Sequence, residues 1–187
     1  IDSAQDDLEA WATSEVGQRL CNLWDELERI GPLLDDGLEF LWLRDKRPST
    51  ILRAGSRVVE FDVKSHEETW NTLMRWCYEG DRARVLLLAG KGGHGKTRLA
   101  LELADTLRRR GWHAGFLREN KICEDMSPLC RGSSNRLVII DYAQSREDDV
   151  KSISTAVDHI RKQSGPVLRV LLTSRRDTQW WDRLKQK

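Results

Sequence analysis

Residues Gly90-Lys91-Gly92-Gly93-His94-Gly95-Lys96-Thr97 satisfy the pattern G-x-x-x-x-G-K-[ST], whose chemistry is the capture of a polyphosphate. Glycines at these positions let successive backbone N–H groups turn inward. With the N-terminus of the following helix they form a cradle of donors for phosphate oxygens. Gly90, Gly92, Gly93, His94, Gly95 and Arg98 supply the wrapping and the helix start. Lys96 is the charge that reaches the β- and γ-phosphates, and Thr97 brings a hydroxyl to Mg²⁺. A second candidate is Asp141, the first polar group after the run Leu137-Val138-Ile139-Ile140. A carboxylate at the end of a rigid apolar strand is suited to hold the water shell of that Mg²⁺. Thr173-Ser174-Arg175 ends another apolar run in the same way, so that a hydroxyl or the Arg175 guanidinium can face the γ-phosphate. The ligand these residues predict is ATP or ADP with Mg²⁺.

Such residues converge only if strands deliver them to one edge. The loop follows the apolar run Val85 to Ala89. Further apolar runs cover His113 to Leu117, Leu137 to Ile140 and Val167 to Leu172. Runs of this kind separated by helical patterns predict parallel strands buried on both faces. Leu99, Leu103 and Leu107 share one helix face after the loop, and Val150, Ile153, Val157 and Ile160 share another. The fold class is therefore α/β, a parallel sheet with flanking helices, whose ligand site lies at the carboxyl ends of the strands. Upstream, Ser65-His66-Glu67-Glu68 reads as a capping box opening a helix that turns Trp70, Leu73, Trp76 and Cys77 inward and stops near Gly80. A short strand, Arg57 to Phe61, precedes it. Arg108-Arg109-Arg110 complements the negative end of the helix after the loop, and no interleaved aromatic platform recommends it for nucleic acid.

The chain has 187 residues, 39% hydrophobic and 33% charged, with formal net charge +1. No apolar run approaches the roughly 18 residues of a membrane-spanning helix, so the class predicted is not an integral membrane protein. Cys21, Cys77, Cys123 and Cys130 form no C-x-x-C pair and read as reduced thiols of a cytoplasmic protein. Residues 1–47 carry 12 acidic and 5 basic side chains, a balance of −7, which leaves +8 for residues 48–187. That asymmetry divides the chain into an acidic segment, 1–47, and a nucleotide-binding core, 48–187, joined at Lys46-Arg47-Pro48-Ser49. In the first part Leu8, Trp11, Leu20, Leu23, Trp24, Leu27 and Ile30 predict an amphipathic helix, ended by Gly31-Pro32 and either bundled against Leu33 to Leu43 or serving as the tail of a preceding domain. Ile1 opens an acidic stretch without the features of a signal peptide, and the sequence reads as part of a longer chain.

From Pro48 to Leu184 the sequence resembles the bacterial STAND ATPases, the signalling family that includes NACHT proteins and apoptotic and plant-resistance ATPases. The resemblance is carried by Arg57-Val58-Val59-Glu60-Phe61 before a helix ending Trp76-Cys77, by the loop from Gly90 to Ala100, and by Gly111 to Leu117. It continues in Val138-Ile139-Ile140-Asp141-Tyr142-Ala143, in Leu171-Leu172-Thr173-Ser174-Arg175, and in Trp180-Trp181 with Leu184. It implies a P-loop NTPase core of the ASCE type, with the Arg175 strand lying between the Asp141 strand and the loop strand. It also implies that a fifth strand, helical and winged-helix elements and a repeat sensor follow beyond Lys187. The function implied is an ATP-gated switch that self-associates and is coupled to effector and sensor domains, in bacteria often in antiviral or stress defence.

Two positions depart from that pattern. Where the family tends to have Pro-Phe-x-Gly-Arg beside the adenine, this chain reads Glu60-Phe61-Asp62-Val63-Lys64. At the position three after Asp141, often acidic, it has Gln144. If Gln144 occupies the position of the base, hydrolysis is slow, because an amide orients water without accepting its proton.

Two rivals remain on the sequence alone. Lys91-Gly92-Gly93-His94-Gly95-Lys96-Thr97 also fits the deviant loop of partitioning and division-site ATPases, in which Lys91 reaches the partner's phosphates across a dimer. Those proteins tend to end the second strand in D-x-D, whereas this chain has Gly115-Phe116-Leu117-Arg118. The other is an interaction module whose nucleotide site no longer hydrolyses.

Overall fold

The computed structural model describes residues 14, 15, 18, 19, 34, 35, 61, 62, 64–118, 133–161, 165–175 and 179–185. The strands are β1 (Leu34–Asp35), β2 (Ala83–Ala89), β3 (His113–Leu117), β4 (Arg136–Ile140) and β5 (Leu168–Ser174). The helices are α1 (Glu67–Tyr78), α2 (Lys96–Arg108), α3 (Glu147–Arg161) and α4 (Gln179–Lys185).

They form one sheet in the order β1-β3-β4-β5-β2. β3, β4, β5 and β2 are parallel, and β1 is a two-residue antiparallel addition at the β3 edge, with Leu34 opposite Leu117. β5, which ends next to Arg175, lies between the Asp141 strand and the loop strand, as the resemblance implies. This is the doubly covered α/β sheet of a P-loop NTPase.

The period of two along each strand explains the layers. Val138, Ile140, Val170 and Leu172 point to one face, where Val150, Ile153, Val157 and Ile160 of α3 and Trp180 of α4 cover them. Leu137, Ile139 and Leu171 point to the other, under Leu73, Trp76 and Cys77 of α1 and Leu99, Leu103 and Leu107 of α2. Both faces of the sheet are thereby removed from water, which is why β4 and β5 are buried at every position.

The end of the sheet away from the loop is held by guanidinium groups. Arg169, 1% exposed at the start of β5, reaches the carboxyl end of α1. Its Nε donates to the Trp76 carbonyl at 2.8 Å and its Nη2 to the Glu79 carbonyl at 3.1 Å. Its Nη1 donates to the carbonyls of Asp81 at 2.9 Å and Arg82 at 3.1 Å. Arg82 serves α3 in the same way, donating to the carbonyls of Ile160 at 3.2 Å and Pro166 at 2.7 Å. The last carbonyls of a helix have no intrahelical partner and carry its negative end, so a forked cation satisfies both needs. Arg108, in the last turn of α2, bonds the Ala114 carbonyl of β3 at 2.9 Å, and Arg110 lies over the Tyr78 ring at 5.9 Å. The basic triplet is taken up at the end of α2.

The capping box does not form. α1 starts at Glu67 after a 3₁₀ turn, Lys64–His66, with His66 at the N-cap and no side-chain cap bond. The Ser65 hydroxyl donates instead to the Asp62 carboxylate, and chiefly for that reason the Asp62 pKa lies below its ordinary value. Of the segment Leu33 to Leu43, Leu34 and Asp35 form an edge strand on β3; the rest of it, and with it the expected bundling, lies outside the described residues. The helix expected from Leu8 to Ile30, the linker at 46–49 and the strand residues 57–60 also fall outside them, except that Glu15, Gln18 and Arg19 are helical. So do Cys21, Cys123 and Cys130. Among the described residues no helix is long and apolar enough to cross a membrane.

Candidate functional site

β2 delivers the chain to the loop at its carboxyl end, and the Gly90 N–H donates to the Ser174 carbonyl of β5 at 3.2 Å. The loop is thus anchored to the neighbouring strand before it turns. Gly93 and Gly95 have φ of 78° and 72°, the left-handed region in which a side chain is strained, so the glycines there are a backbone requirement. Gly95 is the N-cap of α2, so the loop leads directly into the N-terminus of that helix, whose first-turn N–H groups have no intrahelical acceptor. Lys91, Gly92, Gly93 and His94 are exposed around it.

Lys96 folds back over the loop. Its Nζ donates to the carbonyls of Gly90 and Lys91, both at 2.8 Å, so the ammonium stands inside the ring of backbone that would wrap a phosphate. Lys91 contributes to this through its carbonyl, and its side chain is exposed. The Arg98 guanidinium pairs with Glu102 of the next turn at 2.9 Å, so its side chain lies along α2 and its backbone belongs to the helix start.

Thr97 and Asp141, 44 residues apart in sequence, meet. The Thr97 hydroxyl lies 3.0 Å from Oδ2 and 3.2 Å from Oδ1 of Asp141. The juxtaposition follows from strand order, since β4 and β2 both end at this edge with only β5 between them. Both groups are hard oxygen donors, and one carboxylate with one hydroxyl leaves room for phosphate oxygens and water. That donor set fits Mg²⁺, which is held by one or two protein oxygens beside phosphate and keeps several waters.

The residues after Asp141 form a tight turn. Tyr142 has φ of 50°, and the carbonyl of Tyr142 accepts the Ser145 N–H at 2.9 Å and its hydroxyl at 2.8 Å. Gln144 is in this 3₁₀ turn, half-buried, and its Oε1 is buried without a hydrogen-bond partner among the described residues. Arg175 is exposed, with its guanidinium over the Tyr142 ring at 6.0 Å. The structure therefore brings Lys96, Thr97 and Asp141 to one place, sets Gln144 just past Asp141, and holds Arg175 at the rim on an aromatic ring.

Three residues make contacts at the site that the sequence does not indicate. Thr173, expected only as one of the hydroxyls that could face the γ-phosphate, is 2% exposed and its hydroxyl donates to Asp141. Tyr142 supports Arg175. His66 stacks on Phe61, with centroids 5.6 Å apart and planes 3° from parallel, and its Nε2 comes within 3.6 Å of where a Cβ on Gly95 would be. Apart from the His66–Phe61 stack, these contacts join segments distant in sequence, so no local signal announces them.

No family model matches the sequence, and no curated protein does. A solved structure similar to this chain is that of C. elegans PCH-2, at 22% identity and a TM-score of 0.43. The likeness covers 61% of this chain and 38% of that one. The fold assignment rests on the strand order and the loop.

Proposed function

We propose that this chain is the nucleotide-binding part of a STAND-type signalling switch, which binds Mg-ATP through residues 90–97 and hydrolyses it slowly to control self-association. The observation that carries the nucleotide reading is the meeting of Lys96, Thr97 and Asp141 at the carboxyl edge of the sheet. It supplies donors for phosphate, one cation for its charge and two oxygens for the metal. Mg²⁺, when bound by Thr97 and Asp141 with the phosphates, neutralises charge on the β- and γ-oxygens. The chain's own part is to wrap the phosphates in N–H groups, to set the Lys96 ammonium against them, and to orient a water with Gln144. Gln144 lies in the turn three residues past Asp141, and its buried Oε1 has no hydrogen-bond partner among the described residues. An amide takes no proton from the water, which supports slow turnover and a long-lived ATP state.

Support for a switch of the STAND type comes from the motif order in the sequence together with Arg175 at the rim of the site. A role in bacterial defence or stress response, with effector and sensor domains as partners, is the further expectation from that resemblance. Two measurements test the proposal. Calorimetry with Mg-ATP should show binding that Lys96→Ala loses and Lys91→Ala keeps; loss in Lys91→Ala together with ATP-dependent dimerisation would favour the partitioning type. Light scattering of the full-length protein should show larger assemblies with ATP than with ADP, and an identical size distribution in both would refute the switch.

A further inference from the structure

The hydroxyl of Thr173 has a defined direction. It accepts the Tyr142 N–H at 3.3 Å and donates to Oδ1 of Asp141. A backbone N–H only donates and a carboxylate only accepts, so the hydroxyl proton goes to the carboxylate. Thr173 is 2% exposed in β5, paired with Leu88 of the loop strand, so neither its backbone nor its rotamer has room to drift. With Oδ1 engaged, Oδ2 stands 3.0 Å from the Thr97 hydroxyl.

We propose that Thr173 is a positioning residue for the metal site: its hydroxyl fixes the Asp141 carboxylate so that its oxygens meet Mg²⁺ together with Thr97. The inference rests on the nucleotide reading above and names a residue that reading does not use. The physical ground is that a free aspartate rotates about χ1 and χ2, and only some rotamers face Thr97. A buried donor on the neighbouring strand selects one of them before the metal arrives. Partners that orient a metal-ligating carboxylate in this way typically change metal affinity about 10- to 100-fold when removed. The turn geometry contributes as well. The Tyr142 N–H reaches Thr173 of β5 from a turn in which Tyr142 has φ of 50°, and the two bonds from Ser145 to the Tyr142 carbonyl hold that turn.

The test is a Mg²⁺ titration at fixed ATP, read by calorimetry on the parent, Thr173→Val, Thr173→Ala, Thr173→Ser and Asp141→Asn. ATP affinity in EDTA is measured beside it. Thr173→Val keeps the size of the side chain and removes the hydroxyl. It should raise the Mg²⁺ midpoint about tenfold while ATP affinity in EDTA stays within about twofold. Thr173→Ala should do the same, so the hydroxyl is still tested if the valine variant folds poorly. Thr173→Ser should restore a midpoint close to the parent's, which a merely structural role of the buried methyl would not predict. A parental midpoint in Thr173→Val, or a serine variant as impaired as the valine one, overturns the positioning role. If Asp141→Asn shifts the midpoint and Thr173→Val does not, this inference alone falls. If the parent's ATP binding is absent or indifferent to Mg²⁺, the nucleotide reading falls with it.

Discussion

Replacing Lys96 by alanine separates phosphate binding from folding, and the geometry gives the size of each effect. In the free loop the ammonium is held by two backbone carbonyls at 2.8 Å, in a half-buried position above Gly90. Those bonds are internal to a loop whose glycine conformations and strand anchor do not depend on them. Their removal therefore costs the fold about 1 kcal/mol, a fall of about 2–4 °C in melting temperature for a chain of this size. Nucleotide binding has more to lose. A unit charge about 4 Å from a phosphate charge is worth about 4 kcal/mol at the effective dielectric of a protein surface. The ammonium must also give up its two carbonyls and part of its hydration, so we take about half to all of that figure as net. At about 1.4 kcal/mol per factor of ten, Lys96→Ala should weaken ATP binding about 30- to 1000-fold. The assay is calorimetric titration with Mg-ATP, paired with thermal melting of the same samples. Equal affinities in parent and variant would refute the assignment of the loop. So would a melting loss large enough to make the variant's weak binding a consequence of unfolding.

Gln144→Glu should raise steady-state phosphate release at least about tenfold without tightening ATP binding, since a positioned base contributes about 10²–10⁴-fold; equal rates in parent, Gln144→Glu and Gln144→Ala would remove this position from the mechanism. Arg169→Met should destabilise the protein by about 3 kcal/mol in urea unfolding, because the carbonyls at the end of α1 lose a buried charged donor. A loss under about 1 kcal/mol would show that water replaces it freely. Burial pushes the Cys77 thiol up to about 12, so between its unfolded value near 8.5 and that figure the native state holds a proton the unfolded chain has released. Stability contributed by the neutral thiol is full below about pH 8.5 and is lost as the pH rises, by up to about 1.4 kcal/mol per unit. Cys77→Ala should flatten the alkaline limb of the stability profile, and parallel profiles in variant and parent would contradict this.

The central strands were legible because they are buried on both faces: Leu137 to Ile140 and Val167 to Leu172 are nearly continuous apolar runs. β2 was read two residues short. It is the outer parallel strand, only partly buried over most of its length, and it begins with Ala83 and Arg84, which carry little apolar signal. The capping box failed for a local reason, since Asp62 lies three residues before Ser65 and takes its hydroxyl. Arg169 shows the opposite limit. Inside an apolar run it reads as a tolerated exception, and only the folded chain shows the helix end on which it acts.

The same distinction governs the site. Lys96 and Thr97 stand out in the sequence as candidates because a phosphate loop is made by adjacent residues, and its glycine requirement is written at fixed spacing. Asp141 needed one further step, the expectation that its strand ends at the same edge. Thr173 needed the strand order as well, because its role exists only when β5 separates β4 from β2. Inserting that strand moves the Asp141 carboxylate one strand away from the loop strand, where the backbone of β2 cannot hold it. The intervening strand must then supply the group that aims the carboxylate back at Thr97. A buried hydroxyl at its end meets that need without adding a charge next to the metal site, where a second carboxylate would repel the phosphates and a cation would compete with Mg²⁺. Arg175, two residues further on and outside the buried edge, can carry its charge because it stands at the rim, on the ring of Tyr142.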